Sequence, residues 1–267
     1  MIRDISLPSQ MARVFPRGVI AFTLIEVLVS CAVLSIMVAL LAAAFTNFSG
    51  VTASSGKRIE TSNQTRTVYD RLAFDLEASI RKAGVDITFL KNQQASGNGS
   101  TKNDSLYLLT AARTSDPAAR MARIAYEVEE DENKAIGKKF PSLFRVAEPY
   151  LWGDNAADIK VTSLAEKQSM GRGVFRFELS FLTTDGRIVA NPPASKDLAV
   201  VICSTASLDE RTLGQMSDSD VARLVAILPD SEDQKLPLAT WSPALFTGFP
   251  TSVIQSVRFN QRQFYLK

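Results

Sequence analysis

The sequence predicts an α+β protein in which a long N-terminal membrane-spanning helix packs, through its C-terminal half, on a mostly antiparallel β head. Three observations carry this. An apolar run of membrane length ends at Phe45, an amphipathic helical pattern follows between Ile59 and Ala83, and beyond it come short apolar runs separated by turn residues, with one helical pattern among them.

The apolar run is long enough to span. Phe22 to Phe45 is 24 residues, about 36 Å of helix against a hydrocarbon layer of about 30 Å. It carries one carboxylate, Glu26, and a charge at the centre of a bilayer costs roughly 2.5 to 3.5 kcal/mol on insertion scales. Ten Val, Leu, Ile and Phe residues from Val27 to Phe45 contribute about −3 to −6 kcal/mol, so insertion stays favourable. A charge kept at such a cost suggests a task for Glu26. Arg3, Arg13 and Arg17 precede the run with only Asp4 against them, and no charge follows it until Lys57. The N-terminus is therefore expected on the cytoplasmic side and the rest of the chain outside.

In the second element, Val68, Leu72, Leu76 and Ile80 recur every four positions, with Tyr69 and Ala73 beside them and Asp70, Arg71, Asp75, Glu77, Arg81 and Lys82 elsewhere on the surface. The pattern predicts a helix stopped by Gly84. Gly50, Gly56 and the Ser/Thr-rich stretch between them predict a bend or melted turn before it. In the third part, strands are expected over Asp104 to Thr110, Arg123 to Glu129, Ser142 to Ala147, Val174 to Thr183, Arg187 to Ala190, Leu198 to Thr205 and Ser252 to Phe259. Asp185-Gly186 marks a hairpin. Ser217 opens a helix that runs to Leu228 before Pro229, with Asp220 as a capping-box partner. Leu198 to Ile202 suits a central strand, and Lys91 to Asn103 a flexible surface segment.

Composition narrows the function. The chain has no His, which excludes His-dependent nucleophile systems and His-based zinc sites. Cys31 lies in the span and Cys203 in an apolar strand, so no disulfide framework is implied. Gly50 to Lys57 misses the phosphate-loop spacing, and Arg58 stands where Ser or Thr is required. Thirty basic against 28 acidic residues is a net charge of only +2, and without residues 1–21 the count is 27 against 27, so no basic excess points to nucleic acid. Glu127, Glu129, Glu130, Asp131 and Glu132 offer oxygen ligands for Ca2+, or form a solvated hairpin tip answered by Lys134, Lys138 and Lys139; the second is preferred, and no metal or cofactor is expected. Asn191-Pro192-Pro193 reads as a rigid loop, and Trp152 and Trp241 as loop residues, partly buried in preference to contact residues.

Phe22-Thr23-Leu24-Ile25-Glu26 with its apolar tail resembles the N-terminal signature of type IV pilins and type II secretion pseudopilins. The resemblance implies cleavage by a prepilin peptidase between Ala21 and Phe22, N-methylation of Phe22, and assembly through Glu26, whose carboxylate pairs with the Phe22 ammonium of a neighbouring subunit. Ala21 departs from the glycine usual before the cut; Gly18 would leave Glu26 misplaced. The implied organisation is a leader over 1–21, a transmembrane and assembly helix over 22–50, an amphipathic stem over 51–84 and an extracytoplasmic head over 85–267. Removing residues 1–21 leaves 246 residues with 27 basic and 27 acidic side chains. That length, with Tyr69-Asp70-Arg71-Leu72 and Asp75 to Arg81 on the helix, is similar to the minor J-type pseudopilins. The stretch Phe177 to Phe181, Asp185-Gly186, Leu198 to Ile202 and Leu224 to Pro229 is similar to the Verru_Chthon cassette protein C group.

The resemblance implies a non-enzymatic minor filament subunit of a pilus or pseudopilus. Its partners are other pilins or pseudopilins, the peptidase, an inner-membrane assembly platform and membrane lipid. It spans the inner membrane once, head in the periplasm, before joining the filament. Two alternatives stand beside it: an ordinary signal peptide with Ala42-Ala43-Ala44 as a cleavage site, and a membrane anchor, either one delivering a binding or enzymatic domain.

Overall fold

The computed structural model describes residues 23–80, 87–93, 102–111, 121–133, 137–150 and 166–266, with the side chains of 46–61 excepted. The chain forms two compact units, Met1–Ser54 and Ser55–Lys267. Helix α1 (Leu24–Glu77) is assigned without interruption. Residues 50–56, where a bend or melted turn was expected, are helical throughout. A glycine costs about 1 kcal/mol in a helix interior, but extending a helix already nucleated on both sides is far cheaper than starting one.

α1 ends at Glu77, six residues before the expected end at Ala83. Its last turn is captured by a strand. Ser79 bridges Thr110, the Ile80 amide donates to the Leu109 carbonyl at 2.8 Å, and the Ala111 amide donates to the Ala78 carbonyl at 3.0 Å. Backbone pairing with a sheet edge thus replaces the Gly84 stop, which lies outside the described residues.

Two antiparallel sheets make up the rest. The first orders β1 (Thr88–Leu90), β2 (Ser105–Thr110), β3 (Met121–Asn133), β4 (Lys138–Tyr150) and β5 (Glu166–Arg172) as a five-stranded meander. The second places β6 (Val174–Thr183) between β7 (Ile188–Val189) and β8 (Leu198–Ser207), with α2 (Glu210–Gln215), α3 (Asp218–Ile227), α4 (Pro237–Thr240) and α5 (Thr251–Ser256) before its last strand, β9 (Arg258–Tyr265), on the far side of β8. The expected strand at Ser252 to Phe259 is a correction: its first half is α5, which Pro250 precedes as N-cap, and β9 starts only at Arg258. α3 matches the sequence expectation, with Ser217 accepting from the Asp220 amide at its N-terminus. Gly186 (φ 82°) turns the β6–β7 hairpin at Asp185-Gly186.

The C-terminal turns of α1 bury Val68, Tyr69, Leu72 and Leu76 in one core with Leu106, Leu108, Ile124, Tyr126 and Leu143 of the first sheet and Phe177, Leu179, Phe181, Val201 and Cys203 of the second. The opposite face of the second sheet is covered as well. Phe175, Ala206 and Leu208 pack there with Leu213, Leu224, Trp241, Phe246 and Val253 from the helical layer. Trp241 is buried, 4 % exposed, and its indole N–H donates to the Pro229 carbonyl at 3.0 Å, so it is a core residue and not a loop contact. Trp152 lies outside the described residues. Between β5 and β6 the chain passes Gly173 at φ +79°, where a Cβ would stand 2.0 Å from the Leu208 carbonyl oxygen; only glycine fits.

Candidate functional site

The N-terminal unit contributes the first feature. Ala21 and Phe22 lie outside the described residues; Thr23 is the first described, and Glu26 sits in the first turn of α1. Leu24–Phe45, 22 residues, is apolar and long enough to cross a membrane, and none of it is buried. Leu24, Ile25, Leu28, Leu34, Leu40, Leu41 and Phe45 are each more than 60 % exposed. Such a surface is unfavourable in water at about 25 cal/mol per Å² and calls for lipid or protein around it.

Thr23-x-x-Glu26 has the spacing of a capping box, and the structure shows the Thr23 half of it: the Glu26 amide donates to Thr23 Oγ1 at 3.3 Å and to the Thr23 carbonyl at 3.0 Å. A carboxylate here faces the positive end of the helix. Ser30 and Ser35 return their hydroxyls to the carbonyls of Glu26 and Cys31, four residues back, at 2.7 and 2.8 Å. These bonds satisfy their polar groups inside an apolar segment without any partner chain.

Polar contacts from Asp75 and Tyr69, beside an exposed Asp70–Arg262 ion pair at 2.5 Å, tie the C-terminal turns of α1 to the strands. Asp75, fully buried, accepts from the Tyr126 hydroxyl at 2.6 Å and takes a two-pronged contact from Arg145 at 2.6 and 3.2 Å. Burial, then the charge of Asp75, pushes the Tyr126 hydroxyl well up from its ordinary pKa. Tyr69 reaches the other sheet, its hydroxyl 3.0 Å from Thr205 Oγ1.

The acidic run resolves into ion pairs. Glu129 pairs with Lys167 at 2.5 Å, Asp131 with Arg172 at 3.2 Å and Glu130 with Lys139 at 3.7 Å, while Glu127 is buried on β3. The strand pairing runs on to Asn133, so alternate carboxylates face opposite sides of a ladder and do not converge. Among the described residues no cluster of acidic or sulfur side chains can hold a metal ion. Cys31 is exposed, Cys203 is buried, and both are free thiols.

The densest buried chemistry lies where the sequence suggested a flexible loop and an ordinary strand. Lys91 Nζ donates to Asp104 Oδ2 at 2.5 Å, Glu178 Oε1 at 2.8 Å, the Leu179 carbonyl at 2.8 Å and Ser231 Oγ at 3.0 Å. Asp104 also accepts from the Asn92 amide at 3.0 Å and the Leu179 amide at 2.7 Å. Arg176, fully buried, pairs with Glu178 at 2.8 Å and Asp230 at 2.5 Å. Burial, then the charge of Glu178, pushes the Asp104 carboxyl up to about 6. The signal was the alternation Phe175-Arg176-Phe177-Glu178-Leu179, which suggests a polar face turned to water; here that face lies beneath the loop after α3.

No protein-family model matches the chain, and no curated protein matches its sequence. Among solved structures it is similar to the GspK-GspI-GspJ complex from the type 2 secretion system of enterotoxigenic Escherichia coli, at 14% identity and a TM-score of 0.35, over 55% of this chain and 89% of that one. At that distance the function has to be argued from the chain's own residues.

Proposed function

We propose that the chain is a minor pilin or pseudopilin, a structural subunit cut by a prepilin peptidase between Ala21 and Phe22, methylated on the Phe22 amine and assembled through its N-terminal helix. The carrying observation is Glu26, the single charge in a fully exposed apolar helix of 22 residues, set within Phe22-Thr23-Leu24-Ile25-Glu26. The helix spans the inner membrane with its N-terminus cytoplasmic and the head periplasmic. On extraction into a filament, a neighbour's Phe22 ammonium partners the Glu26 carboxylate, and neighbouring helices replace lipid around Leu24–Phe45.

The Thr23-x-x-Glu26 spacing supplies the competing account, in which Glu26 only helps to start the helix of an anchor that carries an independent head. The two accounts separate on Glu26→Gln, because Gln serves a capping box as well as Glu but carries no charge. Coexpressed with its own peptidase and partners, the wild-type chain is expected to begin at methylated Phe22 by mass spectrometry. Glu26→Gln and Glu26→Ala are both expected to insert in the membrane and to be lost from sheared filaments. Filament incorporation of Glu26→Gln at the wild-type level removes the assembly role; a start near Phe45 removes the filament reading altogether.

A further inference from the structure

Lys91, Asp104 and Glu178 are brought together for no purpose that a filament helix requires. Lys91 closes the end of β1, Asp104 opens β2, and Glu178 stands in the middle of β6. Both carboxylate side chains are fully buried and the lysine is 17 % exposed. An ordinary surface ion pair contributes little, and a buried one recovers its desolvation cost only with good geometry. This geometry suits a reaction as well as an ion pair.

We propose that Lys91 and Asp104 condense into an intramolecular amide, with Glu178 as the residue that transfers the proton. Lys91 Nζ and Asp104 Oδ2 are already in contact at 2.5 Å, and holding reactants together in this way lets well-oriented intramolecular reactions reach effective concentrations on the order of 10⁵ to 10⁸ M. Burial, then the charge of Glu178, raises the Asp104 carboxyl to about 6, which brings its neutral form closer to neutral pH than in water. A neutral Asp104 carboxyl is the electrophile that an amine can attack, and burial with Glu178 beside it favours that form. The Asn92 amide on Oδ1, at 3.0 Å, and the Leu179 amide on Oδ2, at 2.7 Å, fix the carboxyl and meet the negative charge that develops on it during attack.

The step balances without a co-reactant. One proton passes from the Lys91 ammonium to the Asp104 carboxylate, leaving a neutral amine and a neutral carboxylic acid. The Nζ lone pair forms a bond to Cγ of Asp104, and the Cγ–Oδ bond breaks. Glu178, whose Oε1 lies 2.8 Å from Nζ, takes a second proton from nitrogen and delivers it to the departing oxygen, which leaves as water. Glu178 finishes as it began, 2.8 Å from the Arg176 guanidinium. No electron changes hands. The product replaces two buried charges by a neutral amide and closes the connection between β1 and β2 into a ring.

Mass spectrometry of the full-length protein, purified in detergent, tests this. The wild-type chain is expected to weigh one water less than its sequence, and a protease digest is expected to yield a branched peptide joining Lys91 to Asp104, with Lys91 resistant to trypsin. Asp185-Gly186 can also lose water by ring closure on itself, so the branched peptide decides the site. Lys91→Arg is expected at full mass and provides the unlinked reference. Glu178→Gln is expected to lose the branched peptide while Lys91 and Asp104 remain. A wild-type digest with Lys91 and Asp104 on separate linear peptides overturns the proposal, and it does so whether or not the variants fold. Undiminished linkage in Glu178→Gln overturns the role given to Glu178.

Discussion

Helix α1 contains two stretches of similar backbone and opposite fate. From Leu24 to Phe45 none of the helix surface is buried, although it is the most apolar part of the chain. From Thr65 to Leu76 one face is buried, with Thr65, Val68, Tyr69, Leu72, Asp75 and Leu76 all under 7 % exposed, while Arg66 and Asp70 face outward. The first stretch is apolar all round, which suits a surrounding made of lipid or like helices. The second is apolar along one stripe, which suits a single core. Apolar content alone therefore says little about where a helix contributes to stability; the arrangement around its axis decides.

The strongest way to break this contrast is to strike each stretch once and measure unfolding of the C-terminal unit in the full-length protein. Asp75→Ala leaves Arg145 nearly buried without its carboxylate partner, and removing one member of a buried pair costs roughly 3–5 kcal/mol. Leu34→Ala, in a segment without buried residues, is expected to leave that unfolding unchanged. Denaturant unfolding followed by tryptophan fluorescence checks both. An equal loss in the two variants would mean that the apolar stretch also supports the head.

A smaller effect sharpens the same point. Tyr69→Phe keeps the ring beside Phe264, 6.2 Å between centroids, and deletes only the hydroxyl, with its contacts to Thr205 Oγ1 at 3.0 Å and the Cys203 carbonyl at 3.4 Å. A lost hydrogen bond of this kind costs about 1 kcal/mol, with more if Thr205 is left unpaired. The midpoint in denaturant is expected to fall with the slope unchanged. No change would mean that Tyr69 contributes by packing alone.

The same contrast explains what the sequence made legible. Residue periodicity sufficed for the buried stripe of α1 up to Leu76, though not for its end or its unbroken course over 50–56, and for β6 and β8, α3 with its Ser217 cap and the Asp185-Gly186 turn, because each of these states its buried face or its turn chemistry locally. β5 was missed because Glu166-Lys167-Gln168-Ser169 has no apolar alternation; it is an edge strand held by its ladder to β4. β1 is only three residues long. Arg176, Glu178 and Asp104 were missed for the opposite reason, since the second sheet is covered on both faces and its polar face never meets water. Thr23 carries two signals at once, the family resemblance and a helix N-cap, since its Oγ1 accepts from the Glu26 amide.

The smallest expected effect compares a buried carboxylate pair with an exposed one. Asp185 contacts Arg187 at 2.6 Å as Asp75 contacts Arg145, but the Asp185 and Arg187 side chains are 51 % and 68 % exposed. The Arg187 hydrogen bond, followed by that of Thr183, holds the Asp185 carboxyl at about 2, below its ordinary 3.8. A depressed acid stabilises the fold where it is ionised: the contribution is present above pH 3.8, declines as pH falls through about 2, and is absent when the carboxyl is protonated in both states. In water the pair is screened, so its share of stability is small despite the short distance. The carboxyl-carbon NMR shift of Asp185 is expected to titrate near 2 in the wild type and closer to 3.8 in Arg187→Gln. The unfolding midpoint at neutral pH should barely move in that variant, whereas it collapses in Asp75→Ala. If both variants were equally destabilised, burial would not be what separates the two pairs, and the hairpin at Asp185-Gly186 would have to be rigid enough to hold its ion pair as firmly as the core does.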